Sequence, residues 1–352
     1  VRDILWLDYE AQSGCSLTDR GIHNYAAHPT TQLISVAYAF NKEPTQLWTP
    51  GQPFPKDFNN HVRKGRRVAA WNAVTERLLT NFVGKRLYGM VPMAIEQMMC
   101  CMVRAGHTAL PLALEMAARA VGAPIQKDMD GAKALKIIMK PVSVDPITGA
   151  MVFATPETHH REFAAVYKYN MTDVDAMREV TKHTRPLSRF ERKVYVIDQK
   201  INDRGVELDM VAVKILKRLA KKETIRLNDE MQAICGLNHT QTQKLKAWLV
   251  LRGVKIASLN KNALARLLAL PTLPKSVRRA LEIRQEAAKS SVAKLDAMIL
   301  RAGPDNRARG CLQMGGAVST FRWSGRAVQT QNLPRPVLTP YMINSILEWI
   351  KT

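Results

Sequence analysis

Asp3-Ile4-Leu5-Trp6-Leu7-Asp8-Tyr9-Glu10 decides how this chain is read. Residues 3–8 read as a short buried strand, with Asp8 and Glu10 where that strand ends. Side chains alternate across a strand with a period of two, so the two carboxylates face the same way. Placed side by side they repel unless a cation lies between them. Surface strands also end in acids for no reason beyond solvation, so the pair by itself leaves both readings open.

Working outward, residues 31–40 form a second strand rich in β-formers, and 44–48 suggest a third. The opening is therefore an antiparallel meander. A short helix over 57–64, a strand over 67–71 and a helix over 76–83 follow. From residue 93 the apolar spacing turns helical, over 93–105, 110–121 and 131–139. Pro141 breaks the run, and Pro146 and Gly149 mark a hairpin-like turn. A long helix spans 158–181. It ends at Arg185-Pro186, because a residue before proline avoids the α region. Beyond it the pattern is almost wholly helical: 188–204 stopped by Gly205, a helix N-capped by Asp209 and reaching about Cys235, then 240–251, 260–268 and 274–300. The expected division is 1–185, of α/β class, and 186–352, mostly helical.

Two further places carry acids that could join Asp8 and Glu10. Glu76 follows Asn72 in the turn after an apolar strand. A first-turn Glu is also what the helix dipole favours. Tyr169 and Asp173 lie four apart and share a helix face. They could be a core tyrosine with a solvated acid, or a hydroxyl and carboxylate that orient a water. Taken together, Asp8, Glu10, Glu76 and Asp173 form a set of hard oxygen ligands. Such a set suits two divalent cations, Mg²⁺ or Mn²⁺, held about 3.5–4 Å apart. Tyr169 would then align the attacking water.

The order Asp8-Tyr9-Glu10, then Asn72-Ala73-Val74-Thr75-Glu76, then Tyr169-Asn170-Met171-Thr172-Asp173 resembles the three exonuclease motifs of the proofreading domain of family A DNA polymerases, phage-type members above all. The resemblance implies an RNase H-like (DnaQ-like) α/β domain that cleaves DNA from its 3′ end. One departure stands out: Glu76 replaces the usual Asp of the second motif, and Thr75 the usual aromatic residue before it. The likeness continues through residues 197–209, Leu245-Lys246-Ala247-Trp248-Leu249 with Gly253, and residues 284–295, which resemble the thumb. Arg322-Trp323-Ser324-Gly325-Arg326 and Gln331-Asn332-Leu333-Pro334 resemble the first motif of the polymerase domain. By this resemblance Asn72, Lys289, Ser290, Lys294, Arg322, Ser324, Arg326, Gln331 and Asn332 contact DNA, both a single-stranded 3′ end and a primer–template duplex. No stretch resembles the palm that carries the polymerase aspartates, so a palm–fingers polypeptide or further chain is an expected partner.

Charge supports a polyanionic partner independently. The net charge is +22 over 352 residues. Residues 1–185 carry 22 Lys and Arg against 17 Asp and Glu, leaving 30 against 13 for 186–352. Cations and short hydroxyls such as those of 289–294 and 322–332 grip phosphates without reading bases. A basic surface of ribosomal-protein or membrane-surface type would explain the charge but not the acids. Trp323 could stack on a base or simply pack, and Lys221-Lys222 read as solvated. The five cysteines show no metal-ligand spacing and read as free thiols of a reducing cytosol. No apolar run reaches the roughly 18 residues of a membrane span. Three functions compete: an active proofreading exonuclease, a primer–template clamp whose exonuclease site is degraded, and an RNA-trimming exonuclease of the RNase D kind.

Overall fold

Strand β1 (Ile4–Gln12) runs past the expected end at Asp8, because its pairing with the next strand continues to Gln12↔Gln32. Asp8 and Glu10 therefore lie inside a strand, just ahead of a register shift between Glu10 and Ala11. The alternation is kept throughout. Leu5, Leu7, Tyr9 and Ala11 enter one core, while Trp6 enters another. The structure, a computed structural model, describes residues 3–124, 129–254, 256–287, 290–317, 320–333 and 338–351.

A helix that the sequence reading missed, α1 (Leu17–Ala27), is N-capped by Ser16 and interrupted at Gly21. β2 (Gln32–Phe40) pairs antiparallel with β1, and β3 (Gln46–Trp48) pairs antiparallel with β2, as the meander predicts. After α2 (Lys56–Arg63), β4 (Arg67–Ala70) pairs parallel on the other side of β1. The helix expected over 76–83 is α3 (Ala73–Leu78), which widens into a π-helical turn at Leu79–Gly84 before α4 (Lys85–Tyr88).

Residues 93–105 are a correction. They hold β5 (Met98–Cys100), parallel to β4, and only then α5 (Cys101–His107). A short apolar run such as Met98-Met99-Cys100 fits either period; the pairing Ala69↔Met99 decides it. The sheet order is β3-β2-β1-β4-β5. One face is covered by α1, α2 and α3 through Tyr25, Phe58, Val62 and Leu78. Fully buried Leu5, Leu7 and Phe58 each contribute about 1.5–3 kcal/mol there.

α6 (Leu114–Ala120), α7 (Met129–Ile138) and a small hairpin of β6 (Ser143–Val144) and β7 (Met151–Val152) lead to the long α8 (His160–Lys182). Val174 and Met177 of α8 pack with Trp6 on the second face of the sheet. α9 (Arg189–Arg204) starts in a capping box between Ser188 and Glu191. It ends at Gly205, whose φ of 69° suits a residue without Cβ. A Cβ there would also sit 2.7 Å from the Ala308 carbonyl oxygen. That close approach lets β8 (Val206–Glu207) pair with β9 (Arg307–Ala308). A hairpin of β10 (Leu312–Ala317) and β11 (Arg322–Gly325) follows. Residues 322–325 are thus a strand held by Leu312↔Gly325 and Gln313↔Ser324.

The chain forms two compact units: Val1–Glu207 with Arg301–Gln331, and Leu208–Leu300 with Asn332–Thr352. The first unit therefore runs on past residue 185, and the chain returns to it at 301–331. The second unit holds α10 (Met210–Cys235), α11 (Thr242–Val250), α12 (Lys261–Leu268), α13 (Lys275–Ala287), α14 (Ser290–Arg301) and α15 (Pro340–Lys351). The single helix expected over 274–300 is two, α13 and α14. Leu227, Met231, Leu245, Leu249, Val277 and Leu281 make its core. Tyr341 and Trp349 on α15 are 80% and 74% exposed. No helix among the described residues is long and apolar enough to cross a membrane.

Candidate metal centre

Asp8 and Glu10 leave β1 on the face that α8 covers, and α8 brings Asp173 to them. One carboxylate oxygen from each of Asp8, Glu10 and Asp173 lies within 4.8 Å of the other two. Glu76 stands outside this triplet but close enough for its charge to act on both Asp8 and Glu10. It is 4% exposed, and its Oε2 has no hydrogen-bond partner. Tyr169, one turn before Asp173 on α8, is hydrogen-bonded to that carboxylate. Asp8, Glu10, Asp173 and the tyrosine thus meet at one place, while Glu76, expected as a fourth ligand, lies outside the ligand triplet and reaches it by its charge.

The electrostatics are those of a site short of positive charge. Burial, followed by the charges of Asp173, Glu10 and Glu76, raises the Asp8 carboxyl well above its usual range. Glu10 is pushed up to about 8 by burial and by Asp173 and Glu76. Burial pushes Glu76 up to about 8 as well. The Tyr169 hydroxyl is held protonated by burial and by the carboxylates around it. Clustered acids avoid repulsion either by keeping protons or by sharing a cation. Every donor here is a hard oxygen, and the unpartnered Glu76 Oε2 is the kind of orphan such an ion would satisfy. The residues fit Mg²⁺ or Mn²⁺.

Supporting side chains, which the sequence reading did not single out, fix these acids. Asn170 donates from Nδ2 to Asp8 Oδ2 at 2.6 Å. Its own Oδ1 accepts from Ser35 Oγ at 2.9 Å. The signal was present: Asn170 lies three before Asp173, on the same helix face. The Tyr9 hydroxyl lies 2.9 Å from Thr80 Oγ1, which donates to the Glu76 carbonyl at 2.7 Å. That chain ties β1 to the π-helical turn, an irregularity found mostly at functional sites. Gly131 of α7 also matters, because a Cβ on it would fall 2.4 Å from the Tyr169 Cβ. Its lack of a side chain lets α7 close over the tyrosine.

Over 340 residues the chain is 33% identical to the DNA polymerase of Bacillus phage SP02, matching 94% of this chain and 51% of that protein. The chain is DNA polymerase-like. It spans about half the length of that curated relative. Among solved structures it is similar to the POL domain of Pol1 from M. smegmatis, in complex with DNA primer-template and dNTP. That match has a TM-score of 0.58 and 12% identity, and covers 95% of this chain and 52% of the other. At that identity the likeness is one of fold. No protein-family model matches the chain.

The residues expected to contact DNA fall in several places. Asn72 is exposed at the head of α3, beside Glu76, with its Nδ2 3.2 Å from Thr75 Oγ1. Arg322 and Ser324 lie on β11, and Arg326, just past it, donates from Nε to Gln313 Oε1 at 2.7 Å. Ser324 Oγ is buried without a partner. Trp323 is tethered at one end, its indole N–H donating to Asp198 Oδ1 at 2.7 Å, while the side chain stays 48% exposed. Gln331 and Asn332 form a 3-10 turn, Thr330–Asn332. Lys294 is half-buried on α14, which begins at Ser290. Lys289 and Pro334 lie outside the described residues.

Proposed function

We propose that this chain is a metal-dependent 3′→5′ exonuclease acting on DNA, with an RNase H-like catalytic unit built on residues 1–185 and a duplex-gripping thumb in the helices of Leu208–Leu300. The observation that carries it is the meeting of Asp8, Glu10 and Asp173, from a strand and a distant helix, around a point that also feels Glu76. Strand order β3-β2-β1-β4-β5, with one antiparallel meander and two parallel additions, supports the RNase H-like assignment. Likeness to a phage DNA polymerase supports DNA, rather than RNA, as the substrate.

In this reading Asp8, Glu10, Glu76 and Asp173 hold Mg²⁺ or Mn²⁺. Bound there, the two ions would supply a nucleophilic hydroxide and stabilise the leaving 3′ oxygen. Asn170 keeps Asp8 in place by donating to it. Tyr169 stays protonated, so its hydroxyl donates to Asp173 and its oxygen can accept from the attacking water and fix its orientation. Asn72, at the head of α3, faces the terminal nucleotide. The test is incubation of 3′-labelled single-stranded DNA, and of the same RNA, with Mg²⁺ or Mn²⁺. Stepwise loss of the label from DNA is expected. Cleavage of RNA in preference would favour the RNA-trimming alternative, and intact DNA alongside tight duplex binding would favour the clamp.

A further inference from the structure

At the other end of the central strands from the acids lies a cavity of about 530 Å³. Ile4 and Arg67, paired at the starts of β1 and β4, both line it. Ile4 is four residues before Asp8, roughly 13 Å along a strand. Four arginines surround this cavity: Arg67 on β4, Arg104 on α5, and Arg189 and Arg192 on α9. Met98, Leu187 and the buried ring of Tyr195 give it an apolar wall.

The arginines lack counter-charges. Arg104 donates to the carbonyls of Thr184, at 2.9 Å, and Arg185, at 3.3 Å, while Arg192 donates to the Glu96 carbonyl at 2.5 Å. Carbonyls orient a guanidinium but do not neutralise it. The nearby acids are engaged elsewhere: the Glu191 carboxylate pairs with Arg185, and that of Glu96 with Lys200. Among the described residues none of the four arginines forms an ion pair. Burial and the charge of Arg67 lower the pKa of both Arg104 and Arg192. Guanidinium cannot escape such crowding by losing its proton at neutral pH. Arg67 and Arg189 are exposed to water, and an anion entering the concave space they share with Arg104 and Arg192 would face all four guanidinium groups at once.

The shape of the relief narrows the ligand. Guanidinium forks match phosphate oxygens two at a time. A free phosphate would satisfy them but leave the wall formed by Met98, Leu187 and Tyr195 unused. A volume of this size lies within the range of small-ligand pockets. A group that is phosphate at one end and a flat, weakly polar ring at the other uses both parts. We propose that this pocket binds a nucleoside phosphate, at a site separate from the acid cluster.

The test is calorimetric titration of the full chain in EDTA, which keeps metals from recruiting nucleotide to the acids. Ligands are dATP, dAMP, inorganic phosphate and a trinucleotide. One dATP or dAMP per chain is expected, with phosphate at least about tenfold weaker because it forgoes the apolar wall. Arg189→Gln, at an exposed helix position, should weaken nucleotide binding about tenfold. Arg67→Gln with Arg189→Gln should weaken it by about a hundredfold, with unchanged circular dichroism and melting temperature. Asp8→Asn should leave it unaltered, so that this site stands or falls apart from the nuclease. Absence of heat with every nucleotide would sink the proposal, as would loss of binding in Asp8→Asn. Phosphate binding as tightly as dAMP would remove the nucleoside from it. A trinucleotide binding more tightly than dAMP would make the pocket part of a strand track and overturn it.

Discussion

On the function proposed above, the acid cluster of the first unit and the basic helices of the second are opposite solutions to handling a polyanion. In the first, a few charges are half-buried or buried and two of them are held by a neighbour, Asn170 on Asp8 and Tyr169 on Asp173, while Thr80 fixes the backbone of Glu76. In the second, charge is plentiful and mostly left in water. Leu208–Leu300 and Asn332–Thr352 carry 20 Lys and Arg against 8 Asp and Glu, compared with 32 against 22 in the first unit. Several of those 8 acids are already paired: Glu230 with Arg279, Asp296 with Lys217, Glu223 with Arg226, and Asp209 with Lys351. Chemistry requires a few groups placed to a fraction of an ångström, which burial and second neighbours provide. Holding a phosphate chain requires only surplus charge. Substitutions should therefore act all-or-none in the first region and by small increments in the second.

The largest effect should come from Asp8→Ala. It removes an acid whose charge the other acids share, and metal assistance is worth several kcal/mol at the transition state. Cleavage of 3′-labelled DNA should fall by at least about 10³-fold, with the melting temperature kept or raised, since carboxylate repulsion is relieved. A loss below about tenfold would mean that the cluster does not carry the reaction.

Next in size are changes that leave the acids but disturb their neighbours. Tyr169→Phe deletes one hydroxyl and should cost about 10²-fold in rate. Gly131→Ala should approach that loss, because the new Cβ meets Tyr169 at 2.4 Å and one side must move. Normal activity in Gly131→Ala would show that α7 can retreat without carrying the tyrosine with it.

How much of this was legible beforehand depends on period. The meander, the stop at Gly205 and the helix capped by Asp209 were readable because the signals are local. Asp8, Glu10 and Asp173 were legible as partners only through the order of motifs, since no local rule joins a strand to a helix 160 residues away. β5 was lost to a helical reading because three apolar residues fit both periods, and only parallel pairing with β4 separates them. α1 was missed because its buried side is small, Gly21, Tyr25 and Ala26, and a glycine interrupts it. The β10–β11 hairpin was unreadable as strand because its residues are polar and glycine-rich and one strand is four residues long.

A pH experiment gives a smaller, graded effect. In the metal-free fold Glu10 and Glu76 are raised from 4.5 to about 8. Between those values the folded chain holds protons that the unfolded chain has released. Stability should therefore decline as pH rises from about 4.5 to about 8, since it falls wherever the native state binds more protons. Mg²⁺ competes with those same protons, so its stabilisation should grow over the same interval. Thermal melts with EDTA and with Mg²⁺ at pH 6 and pH 8 check this. A Mg²⁺-induced shift equal at both values would disconnect the ion from these carboxylates.

The smallest effect belongs to the second unit, and it tests the other half of the comparison. Phosphate contacts release counterions, so the logarithm of affinity for duplex DNA should fall linearly with that of salt, with a slope near −0.9 for each contact. Lys294→Ala, on half-buried α14, should lower affinity about equally for every duplex sequence and flatten that slope by about one. The same is expected of Arg322→Ala on β11, an exposed cation of the first unit that is not part of the acid cluster. Neither change should alter the rate at which a saturating single strand is degraded, because neither residue lies among the acids. A double substitution should flatten the slope by nearly the sum of the two single changes, as independent surface charges do. If Lys294→Ala instead stopped cleavage while leaving the salt slope intact, the two regions would not divide the work between them. The cations of α14 would then belong to the chemistry rather than to the grip.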